Sequence, residues 1–132
     1  MGCNTFNHLS AGIFEIQRSG GDTSGRVWQI TRKHGVNNLC MRLLQHNTFF
    51  AVDADCVGIT KKVDFELNTR YMELMTMTGT PLFTSISPDT MDSLKKRTIS
   101  NIMNKAAKLN NAEPLDWQYT SCPPQFLHNG KV

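Results

Sequence analysis

Three acids and one arginine stand where short apolar runs give way to polar residues. Ile13-Phe14-Glu15-Ile16 leads into Arg18-Ser19-Gly20-Gly21-Asp22, and Thr48-Phe49-Phe50-Ala51-Val52 leads into Asp53-Ala54-Asp55-Cys56. A third run, Thr80 to Ile86, carries Thr84 and Ser85 and is followed by Ser87. Carboxylates converging near an arginine suit sugar hydrolysis. One carboxyl donates a proton to the leaving oxygen, and the others hold hydroxyls. An arginine four residues before an acid helps set that acid's charge state and orientation. Plainer roles fit the same residues. Asp22 precedes Thr23-Ser24-Gly25, as a turn or cap residue would. Asp53 and Asp55 fit solvated loop acids or ligands for a hard cation, although Val57 stands where a calcium loop needs its third acid. Arg42 reads as a surface or ion-pair residue.

Other chemistries find less support. The histidines at 8, 34, 46 and 128 have no metal-ligand spacing, and no Lys-Ser/Thr follows Gly20-Gly21 as a phosphate loop requires. No metal or cofactor is expected. The cysteines at 3, 40, 56 and 122 form no CxxC pair, which points to reduced or buried thiols rather than a zinc site or a disulfide framework. Phe6 stands where an N-myristoylation motif starting at Gly2 needs Ser or Thr.

The elements that would position these residues alternate. The chain has 132 residues, with 14 Lys+Arg against 11 Asp+Glu and 39% hydrophobic residues. Mean hydropathy is −0.34. This excludes a disordered tail, and no apolar stretch is long enough for a membrane span. The basic residues are dispersed among acids, so a nucleic-acid partner is not expected. Residues 13–16 read as a strand, and 25–33 as a helix capped by Thr23 or Ser24 and stopped at Gly35. Residues 39–44 fit a strand or a short helix, and 48–52 a strand. Val63, Leu67, Tyr71, Leu74, Met75 and Thr78 recur at helical spacing over 61–77, with Gly79 as the stop and Met72, Met75 and Met77 as core packing. A strand over 80–86 and a helix from Ser87 to about residue 109, broken near 97–100, complete three strand–helix units. The turn-rich tail ends in Asn129-Gly130, a hairpin signal. Alternating units of this kind form a parallel sheet covered by helices, with function at the C-terminal ends of the strands.

In these blocks the sequence resembles the alpha-galactosidase (melibiase) clan of retaining glycoside hydrolases, families 27 and 36. Arg18-Ser-Gly-Gly-Asp22 looks like the end of the clan's sixth barrel strand, an arginine followed by the general acid/base. Phe50-Ala-Val-Asp53-Ala-Asp55-Cys56 is similar to its Asn-Asp-Pro-Asp-Met/Cys signature, with Val52 in place of the Asn and Ala54 in place of the Pro. The segment from Asn68 through Gly79-Thr-Pro81-Leu-Phe-Thr-Ser85 to Ser87 is similar to its block of apolar helix, Ala/Gly-x-Pro-Leu-x-x-Ser.

The resemblance implies an α/β fold, the last three βα units of a (β/α)8 TIM barrel. Residues 1–110 would be a C-terminal sector of the catalytic barrel, and 111–132 a linker and the first strand of a C-terminal β domain. It implies Asp22 as general acid/base, and Arg18, Asp53, Asp55 and Cys56 as contacts to an alpha-galactoside-like carbohydrate. The clan's nucleophilic Asp belongs to an earlier strand, so this chain alone is expected to be inactive, its partner being the missing N-terminal half of the same barrel. A secreted or periplasmic parent is compatible with the sequence. Two other readings stay open: a degenerate, non-catalytic carbohydrate-binding relative, and an independent α/β domain with a small-molecule ligand. Hydrolysis and transglycosylation are not distinguished.

Overall fold

A computed structural model describes residues 7–108 and 110–132. The first strand, β1, is Ile16–Arg18. It lies parallel to β2, Ala51–Asp53, in the register Ile16↔Ala51, Gln17↔Val52, Arg18↔Asp53. This pairing starts where the expected strand over 13–16 ends, and Ile13 and Phe14 stay exposed. It also places Arg18 inside the sheet rather than in the following turn.

Between the two strands runs one helical stretch, α1 Trp28–Thr31, a π-helical turn Arg32–Asn37 and α2 Asn38–Arg42. The expected stop at Gly35 is therefore not a stop. A Cβ on Gly35 would sit 2.2 Å from the Tyr71 hydroxyl. The glycine lets the helix pass over that ring, and the wide π turn lies at the same place. Residues 39–44 are helical, not a strand. The entry into α1 has no side-chain cap on Val27, but the Ser24 Oγ accepts from the Arg26 and Val27 N–H groups one turn earlier.

After β2 the chain continues directly into β3, Cys56–Ile59, which pairs in parallel with β4, Phe83–Ile86. Asp55 joins the two strands at φ 70°. The effect is visible in the burial pattern. Val52 and Ala54 face the core before this residue, and Val57 and Ile59 after it. A strand alternates with period two, so one residue has been inserted and the phase reset, as in a β-bulge.

Helix α3, Phe65–Thr78, is opened by the Asp64 carboxylate accepting from the Glu66 N–H and closed by Gly79 in the left-handed conformation. Helix α4, Ser93–Ala106, is opened by Asp92 after a short 3-10 turn at Pro88–Thr90. It runs without the break expected near residues 97–100. Leu39, Val52, Val57, Ile59, Tyr71, Met72, Met75, Ile99 and Ile102 form one core between the helices and one face of the strands. The opposite face carries Arg18, Asp53, Cys56, Gly58, Phe83 and Ser85; the loop through Gly25 packs against Gly58 there, and Asp53 is buried. Phe83 and Ser85 are exposed there. The tail forms a small antiparallel ladder, β5 Glu113–Pro114 with β6 Phe126–Leu127. After β6 the chain makes a separate turn at Asn129-Gly130, both at positive φ, closed by His128 and Lys131.

Candidate functional site

Parallel pairing brings the ends of β1 and β2 side by side, and Arg18 stands at the junction. Its Nη2 lies 2.8 Å from Asp22 Oδ1 and 2.6 Å from Asp55 Oδ2. The Arg18 side chain is 13% exposed, Asp55 18% and Asp22 79%. The guanidinium thus ties a carboxylate anchored in the sheet to one that projects into solvent.

Asp55 is held from several directions. Its Oδ2 accepts from the Thr23 N–H at 2.6 Å, and the Thr23 hydroxyl lies 2.9 Å away. The same hydroxyl is 2.7 Å from the Cys56 carbonyl. Burial by itself would raise the pKa of Asp55. The N–H groups of Thr23 and Cys56, the Thr23 hydroxyl and the Arg18 charge outweigh it and leave the carboxyl below its usual range. Asp55 is therefore held as an anion, with its Oδ2 taken up by Thr23 and Arg18. The role expected for it from the sequence was contact with sugar hydroxyls; the geometry makes it an anchor for Arg18 and for the loop that carries Asp22.

Asp53 is 3% exposed, which removes the solvated-loop alternative for this acid. Its Oδ1 accepts from the Asp55 N–H at 2.8 Å, and burial raises its pKa despite that bond. Cys56 is half-buried. Burial first, and the Asp55 charge second, push its thiol up, so it is poorly suited to act as a nucleophile. Among the described residues no group of three or more His, Cys, Asp or Glu is placed to hold a metal ion. The space between Asp22 and Asp55 is occupied by the guanidinium.

Two residues support the cluster from outside the expected set. Thr23, read as a helix cap, closes the loop onto Asp55 instead. Tyr71, read as one position of an apolar helix stripe, donates its hydroxyl to the Ala54 carbonyl at 2.6 Å, fully buried beneath the bulge. The signal for Tyr71 was present, since a tyrosine in a core stripe needs a partner for its hydroxyl. Gly20 and Gly21 lie close against the helix, neither at positive φ. A Cβ on Gly20 would meet the Asn38 amide at 2.1 Å, and one on Gly21 the His34 ring at 3.0 Å. His34 Nδ1 in turn lies 3.1 Å from the Asp22 carbonyl. The loop is thus pinned to the helix on one side and to β3 on the other, where the Thr60 hydroxyl donates to the Gly25 carbonyl.

Among the described residues the third strand end makes no side-chain hydrogen bond to Asp22, Asp53 or Asp55. Thr84 and Ser85 lie in β4 opposite Val57 and Gly58, and the Ser87 N–H donates to the Ile59 carbonyl at 3.0 Å. A cavity of about 310 Å³ opens at the ends of β3 and β4, lined by Thr60, Lys61, Phe65, Asp89 and Lys95. It adjoins the loop through the same Thr60. Comparison with family models, with curated proteins and with solved structures returns no match.

Proposed function

We propose that this chain is the acid/base-bearing sector of a retaining glycoside hydrolase acting on alpha-linked sugars of the galactoside kind, the last three βα units of a (β/α)8 barrel. The observation that carries the reading is the Arg18 bridge. It fixes an exposed carboxylate, Asp22, at the C-terminal end of one parallel strand by reference to a half-buried anion, Asp55, just beyond the end of its neighbour. That is where barrel enzymes place their chemistry. A projecting acid on a pinned loop is what proton transfer to a leaving group needs. The adjoining cavity at the ends of β3 and β4 gives room for part of a sugar chain.

In this reading Asp22 gives its proton to the glycosidic oxygen as a carboxylate from an earlier strand attacks the anomeric carbon. The bond to the leaving sugar breaks and a glycosyl ester forms. Asp22 then takes a proton from water, whose oxygen attacks the same carbon and releases the ester carboxylate. The two carboxyls would stand about 5–5.5 Å apart. Arg18 orients Asp22, and Asp53 and Cys56 stand along the sheet face beside it.

The test uses the whole reading frame that contains these residues. Asp22→Ala is expected to lower turnover of an unactivated alpha-galactoside by about 10²–10⁴-fold. Turnover of a substrate with an acidic leaving group should fall much less, and added azide should restore it, giving a glycosyl azide of retained configuration. The 132-residue chain alone should release no nitrophenol from nitrophenyl alpha-galactoside. Turnover by that chain, abolished by Asp22→Asn, would overturn the reading, as would a parent indifferent to Asp22→Ala.

A further inference from the structure

A second cavity, of about 320 Å³, lies at the other end of the strands, where the chain enters β2 and leaves α3. Leu43, Leu44 and Trp117 supply its apolar surface, and Asn47, Asn111 and Glu113 its polar groups. Its volume is in the lower range of small-molecule sites, which are typically apolar with a few placed polar groups. The wall is built into the fold. The Ala112 N–H donates to the Met77 carbonyl at 2.8 Å, and Ala112 is buried. Gly79 lets the tail close on the helix end, since a Cβ there would stand 2.2 Å from the Asn110 carbonyl oxygen. The side chains of Asn47, Asn111 and Glu113 and the indole N–H of Trp117 make no hydrogen bond within the described residues.

The lining selects a ligand class. Glu113 is the sole acid of the lining, and its one basic side chain, His46, has both ring nitrogens engaged by the Val52 N–H and the Gly79 carbonyl. Nothing there balances an anion. An indole with leucines offers a face to C–H groups, and amides with a carboxylate can both donate to and accept from hydroxyls. We infer that this cavity is a binding site for a neutral saccharide ring, stacked on Trp117 and held by Asn47, Asn111 and Glu113. The inference stands apart from the glycosidase reading, because it uses none of the residues around Asp22.

Titration of the 132-residue chain with methyl alpha-D-galactoside and methyl alpha-D-glucoside, followed by amide NMR shifts and tryptophan fluorescence, tests it. Saturable shifts are expected at residues 43–47 and 111–117. Trp117→Ala should weaken binding at least about ten-fold, equivalent to about 1.4 kcal/mol. Exposed Glu113→Gln should weaken it without disturbing the fold, and Asp22→Asn should leave these shifts in place. Absence of saturable shifts there overturns the site. So do shifts confined to residues 18–23 and 53–56, which would report on the Asp22 region instead. Saturation by phenethylammonium but by neither glycoside would also overturn it, in favour of a cation.

Discussion

Asp55 accepts from the Thr23 backbone, the Thr23 hydroxyl and the Arg18 guanidinium on a single oxygen, Oδ2. Removing its charge should therefore loosen the loop and free the arginine together. Asp55→Asn is expected to cost about 1.5–3 kcal/mol, the worth of a charge-assisted bond made away from bulk water. Asp22→Asn should cost less than about 1 kcal/mol, because its carboxylate is exposed and its pairing screened. Urea unfolding of both variants measures the contrast. The pH dependence has a defined sign. Asp55 titrates below its ordinary value of 3.8 in the folded chain, so its contribution is complete above pH 3.8 and is lost as pH falls through the folded value. The gap between wild type and Asp55→Asn should close in that acid range. Equal stability of the two proteins at neutral pH would show that Asp55 anchors nothing.

At the scale of elements, some of the fold was legible and some was not. Helix α3 was legible because an apolar spacing of three and four coincides with a stop signal, Gly79. The bulge was not. A period-two reading of residues 48–52 carries no sign that Asp55 takes a left-handed conformation and resets the facing of everything after it. Gly35 misled for a similar reason. Locally it is a helix stop, and only the Tyr71 ring, 36 positions away, explains its place inside a helix. Gly35→Ala should destabilise the chain by about 1–3 kcal/mol, as overpacking of a close contact does. Tyr71→Phe should not rescue it, since the added Cβ would also stand 2.5 Å from Cζ. Rescue by Tyr71→Phe would mean that the hydroxyl alone is the obstacle. His46 joins two more elements, accepting from the Val52 N–H on Nδ1 while Nε2 lies 3.2 Å from the Gly79 carbonyl. Burial lowers its pKa from 6.5, so the fold favours the neutral ring. The unfolded chain then binds more protons just below pH 6.5. Stability from this residue is complete above that pH and is lost as pH falls toward the folded value. His46→Asn keeps an acceptor near Nδ1 and removes the titration. Its denaturation midpoint should change less between pH 7.5 and 5 than that of the wild type.

For the molecule as a whole, the decisive feature is what the sheet lacks. Among the described residues β1 pairs only with β2 and β4 only with β3, so two parallel edges stand open. The helices cover one face of these strands, and Phe83 is 44% exposed on the other. Parallel sheets are stable when both faces are covered, and open edges template pairing with other chains. Residue types along the strands could indicate which positions are apolar, but not that Phe83 would stand exposed on the face away from the helices. In the proposed barrel, strands continuing the sheet past both edges would bury Phe83 and surround Asp22. The chain on its own should therefore self-associate. Light scattering after size exclusion should give a mass above 14.9 kDa that rises with concentration. Phe83→Lys should shift the population toward monomer, because a charge on that exposed surface opposes its burial. The same substitution should change the stability of the monomer by less than about 0.5 kcal/mol, as an exposed position does. A wild-type chain that stays a monodisperse monomer and melts in one sharp, cooperative transition would mean that the exposed surface around Phe83 needs no further cover, and the barrel reading would fall with it.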